Sequence, residues 1–222
     1  ILFSKNGSEP MAPSSMSKLM TALMVFEALD RGELAMEDTL PVSEEAWRRG
    51  GAASGSSTMF LDVNSRASVE DLLRGIIVQS GNDACIVVAE AMAGTEAAFA
   101  QQMTERAREL GLDESVFQNA SGWPDPEHVM SVRDLAHLAA EIITRFPDFY
   151  HLYSEESFTY ADITQDSRNP LLQGGVAGVD GLKTGHTSNA GYGLVASAER
   201  DGRRLILVVA GLDTPGERRR EA

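Results

Sequence analysis

The stretch from Ser15 to about Leu29 constrains the fold most, because its apolar side chains are not confined to one helical stripe. A surface helix carries a single apolar stripe, whereas a helix that is apolar on several sides is buried. Gly32 stands where a left-handed C-terminal cap would end such a helix. The pattern therefore predicts a helix in the middle of the fold, with apolar residues Met16, Leu19, Met20, Leu23, Met24, Phe26 and Leu29.

A serine and a lysine lie one turn apart at the start of this helix, as Ser15 and Lys18. Residues three apart share a helix face, at about 5–6 Å between Cβ atoms. Serine needs a neighbouring base to act as a nucleophile, and lysine is a base only when burial or nearby positive charge removes its proton. Lowering a lysine pKa from ~10.4 to ~7–8 requires about 4 kcal/mol. A single pair of this kind arises easily by chance, so further motifs must support it.

Composition excludes several classes of function. A chain of 222 residues can form one large domain or two lobes, and its net charge of -14 argues against a nucleic-acid partner. The only cysteine, Cys85, has apolar neighbours and is expected to be a small buried residue, with no intramolecular disulfide. A membrane-spanning helix needs about 18 consecutive apolar residues, and no apolar run in this chain approaches that length. The four histidines lack metal-ligand spacing, so no metal site is expected.

The two ends of the chain have the composition of interrupted elements. Ile1-Leu2-Phe3 has the composition of a strand interior, and Arg218 to Ala222 reads as the start of a helix. We expect no signal peptide within this sequence. We expect both ends to be trimmed, so the missing targeting signals are uninformative.

The order of predicted elements indicates an α+β fold, an antiparallel sheet covered by helices in an α/β/α sandwich, with an adjoining all-helical lobe. We expect one domain, with a sheet lobe over about 1–38 and 156–222 and a helical lobe over about 39–155. Serine and threonine caps and hairpin signals define the elements. The expected helices are Val69–Val78, Asp83–Ala93, Glu96–Leu110 and Val132–Phe146, and the expected strands are Glu156–Ile163, Asp180–Gly185, Gly191–Arg200 and Arg203–Leu212, the last two joined by Asp201-Gly202.

A second motif, Ser80-Gly81-Asn82, lies in the tight connection between two predicted helices. Its glycine permits an unusual backbone angle, and the flanking side chains could point into a cleft. The serine hydroxyl can pass a proton. The asparagine amide can bind a carbonyl and also contact a lysine. Taken singly, the tripeptide is more often an ordinary helix cap.

A third motif, Lys183-Thr184-Gly185, stands on a predicted edge strand. The ammonium and hydroxyl of the first two residues suit a carboxylate, and we expect the glycine to leave room for a substrate backbone. Of the 19 basic residues only three are lysines, Lys5, Lys18 and Lys183. Lysine can lose its proton whereas arginine cannot, which suggests that two of these positions need an amine.

The order S-x-x-K, S-x-N, K-T-G is the signature of β-lactamases and penicillin-binding proteins. The chain resembles the low-molecular-mass D-alanyl-D-alanine carboxypeptidases, the serine-type penicillin-binding proteins. The resemblance covers nearly the whole chain. It is carried by Pro13–Thr21, Ser56–Leu61, Gln79–Cys85, Val179–Thr187, Ala190–Tyr192 and Leu194–Ala198.

The resemblance implies that Ser15 attacks the carbonyl between two terminal D-alanines and that Lys18 is the general base. The backbone N–H groups of Ser15 and His186 would form the oxyanion hole. Ser80 would pass a proton to the leaving amine, with Lys183 close enough to tune it. No cofactor is implied.

Substrate binding is implied at further positions. Asn82 would hold the substrate's amide, and Thr184 would contact the terminal carboxylate. Arg218 falls where the family has a carboxylate-binding arginine, although Arg219 and Arg220 leave its register open, and Arg168 matches a second arginine that lines the groove. Together with Gly185 and His186, these are the candidate substrate-binding residues.

Some features depart from the family or leave alternatives open. The family usually has alanine and threonine where this chain has Ser14 and Ser17, and it also has a signal peptide, a β-rich C-terminal domain and often a membrane anchor. A β-lactamase would need a deacylating glutamate, and Glu114 and Glu127 stand in no matching motif. A sensor or binding module that is acylated but never turns over is the other alternative.

The expected partners are peptidoglycan pentapeptides ending in D-Ala-D-Ala, with β-lactam antibiotics as covalent inhibitors. The expected location is periplasmic or extracytoplasmic. Membrane association at the outer face of the inner membrane would come only from segments missing here.

Overall fold

The computed structural model describes all of residues 1–222. Short 3-10 helices lie at Ser14–Ser17, Ala52–Ser54 and His151–Ser154. The α-helices are α1 (Lys18–Asp30), α2 (Glu44–Gly50), α3 (Val69–Ile77), α4 (Asn82–Ala93), α5 (Glu96–Glu109), α6 (Val132–Arg145), α7 (Pro147–Tyr150), α8 (Pro170–Gln173) and α9 (Pro215–Glu221). The strands are β1 (Thr39–Pro41), β2 (Arg66–Ser68), β3 (Ser157–Tyr160), β4 (Ile163–Asp166), β5 (Val179–Thr187), β6 (Gly191–Arg200) and β7 (Arg203–Leu212).

The largest sheet has three antiparallel strands in the order β5-β6-β7. The hairpin between β6 and β7 turns at Asp201 (φ 50°) and Gly202 (φ 72°). Two positive φ values in a two-residue loop match the right-handed twist of the strands, which is why Asp-Gly favours this turn. The predicted hairpin is confirmed, and β5, which carries the K-T-G motif, is an edge strand.

Helices cover both faces of this sheet. Neighbouring residues on a strand point to opposite faces. Val195 packs into the central core with α1, whereas Leu194 and Ala196 pack with Leu171 and Ala222 at the ends of α8 and α9. The α+β fold, with the sheet between helices, is therefore confirmed.

The first helix is as deeply buried as its composition predicts. Leu19, Leu23 and Phe26 have no exposed surface. The first turn, however, is 3-10 and the α-helix begins only at Lys18, so the predicted α-helical start at Ser15 is wrong. Gly32 has φ 69° and ends the helix as expected.

Three helices begin at the predicted caps. The side chains of Ser68, Thr95 and Ser131 each accept the backbone N–H three residues further on. Each bond satisfies one of the amides that a helix N-terminus leaves without a partner.

The packing alters the predicted boundary between the lobes. Helix α6 falls within 39–155, which we assigned to the helical lobe, but it packs against β6 and β7. Conversely, residues 157–166 fall in the predicted sheet lobe yet form a separate hairpin, β3-β4, beside the helices. We predicted one strand over Glu156–Ile163. The chain instead reverses at Ala161 and Asp162, which have φ 46° and 64°.

The predicted strand at Ile1-Leu2-Phe3 is wrong. The three side chains are 93%, 87% and 83% exposed, and no strand pairs with them. Strand composition alone does not make a strand, because an extended backbone needs a neighbour for its hydrogen bonds.

None of the helices is both long enough and apolar enough to pass through a lipid bilayer.

Candidate active site

The amine of Lys18 lies between a serine hydroxyl and a backbone carbonyl. Its Nζ is 2.9 Å from Ser15 Oγ and donates to the carbonyl oxygen of Ser121 at 2.6 Å. Ser15 belongs to the 3-10 turn and Lys18 is the first residue of α1, so the short turn brings the two side chains together. Only 1% of Lys18 is exposed.

The surroundings of Lys18 favour its neutral form. The pKa of Lys18 is lowered to about 8, chiefly by burial and in part by the positive charge of Arg168, although Cys85 and Asp83 act in the opposite direction. Burial disfavours a charge because the low-dielectric interior solvates it poorly. A fraction of Lys18 is therefore uncharged near neutral pH and can accept a proton from Ser15.

The S-x-N motif forms a turn with a strained backbone between α3 and α4. Ser80 has φ 61°, and its Oγ is buried with no hydrogen-bond partner in the protein. The turn is fixed by backbone bonds from Gly81 N–H to the Gly75 carbonyl and from Asn82 N–H to the Ser57 carbonyl, both 2.8 Å. A strained residue with an unpaired buried hydroxyl is typical of functional sites.

The K-T-G motif on β5 carries a second buried amine. Lys183 is 3% exposed, and its Nζ donates to the Thr184 carbonyl at 3.3 Å. Burial lowers the pKa of Lys183 well below its ordinary value, and the positive charges of Lys18 and Arg168 lower it further. The contact of 3.3 Å between Ser14 Oγ and Thr187 Oγ1 joins the turn that carries Ser15 to β5, so the first and third motifs lie side by side.

Gly185 has a different role from the one we expected. A Cβ at this position would lie 2.9 Å from the carbonyl oxygen of Pro13 and 3.0 Å from Met16 Cγ. The missing side chain therefore lets β5 lie against the 3-10 turn that carries Ser15. Our expectation that Gly185 makes room for a substrate backbone is wrong, because the space is already filled by the protein.

His186 and Arg218 meet on one aromatic ring. The rings of His186 and Tyr192 stack with centroids 3.9 Å apart, and the guanidinium carbon of Arg218 lies 5.5 Å from the centroid of Tyr192. Arg218 is half-buried, whereas Arg219 and Arg220 are exposed. The structure thus selects Arg218 from the three arginines and adds Tyr192, which the sequence did not single out.

Arg168 is connected to the S-x-N turn. Its Nη1 donates to Ser57 Oγ, and the carbonyl of Ser57 accepts the N–H of Asn82. No carboxylate pairs with Arg168, so its charge is available to the groove.

Sequence reasoning also missed the support behind the S-x-N turn. The carboxylate of Asp83 has no exposed surface and accepts from Thr58 Oγ1 at 2.6 Å and from the N–H groups of Met59 at 3.0 Å and Leu61 at 3.1 Å. The position directly after Asn82, at the first turn of α4, was the available signal. No group of three or more His, Cys, Asp or Glu side chains is arranged to hold a metal ion.

Known proteins match this chain over nearly its full length. Residues 1–214 match the peptidase S11 family, described as D-alanyl-D-alanine carboxypeptidase. The D-alanyl-D-alanine carboxypeptidase DacD of Escherichia coli is 44% identical over 223 residues, which cover 100% of this chain and 58% of that protein. The chain thus spans somewhat more than half the length of this curated relative.

Solved structures share the fold. Penicillin binding protein 5 from Haemophilus influenzae superimposes with a TM-score of 0.95 at 42% identity, covering 100% of this chain and 64% of that one. Penicillin-Binding Protein D2 from Listeria monocytogenes in the ampicillin-bound form superimposes with a TM-score of 0.83 at 31% identity, covering 99% of this chain and 87% of that one. The chain belongs to the peptidase S11 family of D-alanyl-D-alanine carboxypeptidases.

Proposed function

We propose that this protein is a serine carboxypeptidase that removes the terminal D-alanine from peptides ending in D-Ala-D-Ala. The observation that carries the proposal is the 2.9 Å contact between Ser15 Oγ and the buried amine of Lys18. Family membership supports the choice of reaction. The catalytic unit is the single domain formed by residues 1–222.

In the first step, neutral Lys18 accepts the proton of Ser15 while Oγ forms a bond to the carbonyl carbon of the penultimate D-alanine. The negative charge that develops on the carbonyl oxygen is stabilised by the backbone N–H groups of Ser15 and His186. One such donor is typically worth about 3–4 kcal/mol in the transition state. The early position of Ser15, ahead of α1, also gives it the favourable end of the helix dipole.

In the second step, the C–N bond breaks and the leaving amine needs a proton. Ser80 passes to it the proton that Lys18 took up, which returns Lys18 to its neutral form. The unpaired buried hydroxyl of Ser80 supports this role. In this proposal Lys183 is close enough to tune the proton transfer. A water molecule, deprotonated by Lys18, then hydrolyses the acyl-enzyme and regenerates Ser15.

Recognition of a free C-terminus requires positive charge in the groove. Lys183 and the hydroxyl of Thr184 bind the terminal carboxylate, with Arg218 beside them, while Asn82 holds the substrate's amide. Arg168, whose charge lowers the pKa of both Lys18 and Lys183, supplies a further positive charge. Arg218 supports its assignment by its position against Tyr192 and by a buried Nε that has no partner in the protein.

The natural substrate in this proposal is the peptidoglycan stem pentapeptide, which places the enzyme outside the cytoplasm. β-Lactams would acylate Ser15 by the same first step, and a relative of known structure holds ampicillin.

A β-lactamase reading has no specific support. It would require a glutamate free to activate the deacylating water. The glutamate whose charge reaches Lys18 is Glu96, and its carboxylate already binds Arg49 at 3.0 Å and the N–H of Ala120 at 3.1 Å. Glu127 is exposed, and no contact connects Glu114 to Lys18.

The test is release of D-alanine from Nα,Nε-diacetyl-L-lysyl-D-alanyl-D-alanine. We expect the unaltered chain to release D-alanine and Ser15→Ala to release none. Ser17→Ala is the matched control, because it removes a neighbouring hydroxyl that bonds only to the Ser14 carbonyl, at 3.1 Å. Folded protein that releases no D-alanine, or equal activity in Ser15→Ala, would refute the proposal.

A further inference from the structure

The side chain of Asn119 organises the turn that carries the Ser121 carbonyl. Its Oδ1 accepts the backbone N–H groups of Ser121 at 3.1 Å, Gly122 at 2.8 Å and Trp123 at 3.0 Å. Its Nδ2 donates to the carbonyl of Trp123 at 3.0 Å. Asn119 is 8% exposed, so water does not compete effectively for these bonds. One side chain therefore fixes both ends of the turn.

The turn is attached to the face of α1 that carries the base. Thr21 Oγ1 donates to the carbonyl of Ala120 at 2.6 Å, and Lys18 Nζ donates to the next carbonyl, of Ser121, also at 2.6 Å. Residues 18 and 21 are three apart and share a helix face. Two consecutive carbonyls thus point at two neighbouring side chains of one helix.

The close approach of the turn to the nucleophile restricts it further. Gly122 has φ 78°, and a Cβ there would overlap the carbonyl of Ser14. Only glycine fits this position without strain. The turn is consequently packed against the residue before Ser15, and a shift of the turn would move the Ser121 carbonyl relative to Lys18.

The Ser121 carbonyl has a direct consequence for proton transfer. A neutral amine has two N–H donors and one lone pair. Because the Ser121 carbonyl accepts one N–H of Lys18, the amine has fewer possible orientations. Its lone pair can then face the Ser15 hydroxyl. As Lys18 becomes an ammonium, its bond to the carbonyl becomes charge-assisted and stronger. The carbonyl thus stabilises the charge that develops during proton transfer.

We propose that Asn119 is a positioning residue for the reaction: by collecting the N–H groups of residues 121–123 it holds the Ser121 carbonyl against Lys18 and so orients the general base. The inference rests on the proposed function, since it assumes that Lys18 activates Ser15. Asn119 itself touches neither the nucleophile nor the base in the structure.

The experiment measures the second-order rate of acylation by benzylpenicillin between pH 5 and 10 for the full chain and two variants. Asn119→Ala removes the accepting oxygen. We expect acylation to fall by about a hundredfold, the loss typical of a misplacement of about 1 Å. Asn119→Asp keeps an accepting oxygen. We expect it to regain most of the rate above pH 9, with the acid limb of the profile moved upward by about one pH unit because a nearby carboxylate raises the pKa of Lys18.

The matched control is Ser68→Ala, which removes the cap of α3 at a typical loss of about 1 kcal/mol in stability without touching the site. Its acylation profile should equal that of the unaltered chain. An acylation rate of Asn119→Ala within threefold of that of the unaltered chain would overturn the inference. It would also be overturned if Asn119→Asp were acylated as slowly as Asn119→Ala at every pH. If Asn119→Ala does not fold, Asn119→Asp decides by itself: a profile equal to that of the unaltered chain at every pH, or one that recovers no rate above pH 9, would overturn the inference. An unaltered chain that is not acylated would overturn the proposed function itself.

Discussion

The amine of Lys18 lies 2.9 Å from the hydroxyl of Ser15, with 1% of the lysine exposed. A base must be within hydrogen-bond reach of the proton that it removes and must be partly unprotonated at the working pH. Both conditions are met, the second because burial lowers the pKa of Lys18 to about 8.

Lys18→Arg should abolish acylation by benzylpenicillin while preserving the fold. An arginine keeps its proton in proteins, so it cannot accept the proton of Ser15. We expect a rate loss of at least about a hundredfold, the low end of the gain from a general base. Lys5→Arg, on an exposed residue, is the control. An active Lys18→Arg variant with normal thermal unfolding would exclude Lys18 as the base.

The rate of acylation should rise with pH through the pKa of Lys18. The neutral amine is the reactive form, and its fraction increases tenfold per pH unit below about 8 and levels off above it. A pH profile of the acylation rate measures this directly. A rate that stays flat from pH 6 to 9 would mean that the titration of Lys18 does not control the step.

Asp83→Asn should weaken both the fold and the reaction. The buried carboxylate accepts from Thr58, Met59 and Leu61, and an amide would turn a donor toward one of these donors. Leaving a buried group unpaired costs about 1–3 kcal/mol. Asp38→Asn, at an exposed carboxylate that accepts the N–H of Ala35, is the matched control. The free energy of unfolding in urea and the acylation rate should both fall in Asp83→Asn. Neither should change in Asp38→Asn.

His128 should make the protein less stable in mild acid. Burial lowers the pKa of His128 to about 4, although Asp125 acts in the opposite direction. Its Nδ1 accepts the N–H of Gln118 at 3.2 Å, which requires the neutral ring. Between pH 4 and 6.5 the unfolded chain binds more protons at this residue, so stability rises with pH across that window. The histidine contributes about 3 kcal/mol to this change.

His128→Gln should remove that component of the pH dependence of unfolding. His137→Gln, on the exposed side of α6, should retain it. Chemical denaturation at pH 4.5, 5.5 and 6.5 provides the comparison. Equal pH dependence in the two variants would show that His128 is not responsible.

Glu27 should stabilise the side of the protein away from the site. Its buried carboxylate accepts from Arg106 Nη2 at 2.7 Å and Arg145 Nη1 at 3.1 Å. Both arginines are partly exposed, so the loss in Glu27→Gln is expected to be about 1–2 kcal/mol, less than for a fully buried pair. Glu33→Gln, which breaks the exposed pair with Arg31, should leave urea unfolding unchanged. The same loss of stability in both variants would contradict this interpretation.

The sequence predicts correctly those elements that short local patterns determine. Asp201-Gly202 fixes a hairpin by its own backbone preferences, and Ser68, Thr95 and Ser131 cap helices through bonds within one turn. The turn at Ala161 was missed because alanine carries no signal for a positive φ. Such residues adopt it only when the surrounding structure imposes it.

The groups of the candidate site also fall into those that the sequence indicated and those that only the fold determines. Side chains with distinctive spacing, Ser15, Lys18 and Lys183, could be selected from the sequence. The structure brings Ser15 and Lys18 into contact and joins their turn to β5, the strand that carries Lys183. The Ser121 carbonyl could not be selected from the sequence, because every residue has a backbone carbonyl and only the fold determines where it points. Likewise, the real neighbours of Gly185 depend on how the edge strand packs against the 3-10 turn.

The most direct test of the account is to incubate the chain with benzylpenicillin and locate the adduct by peptide mass spectrometry. We predict one penicilloyl group per chain, on Ser15, and none on Ser14 or Ser17. A label on any other residue, or an unlabelled protein that is demonstrably folded, would contradict the claim that Lys18 makes Ser15 the nucleophile.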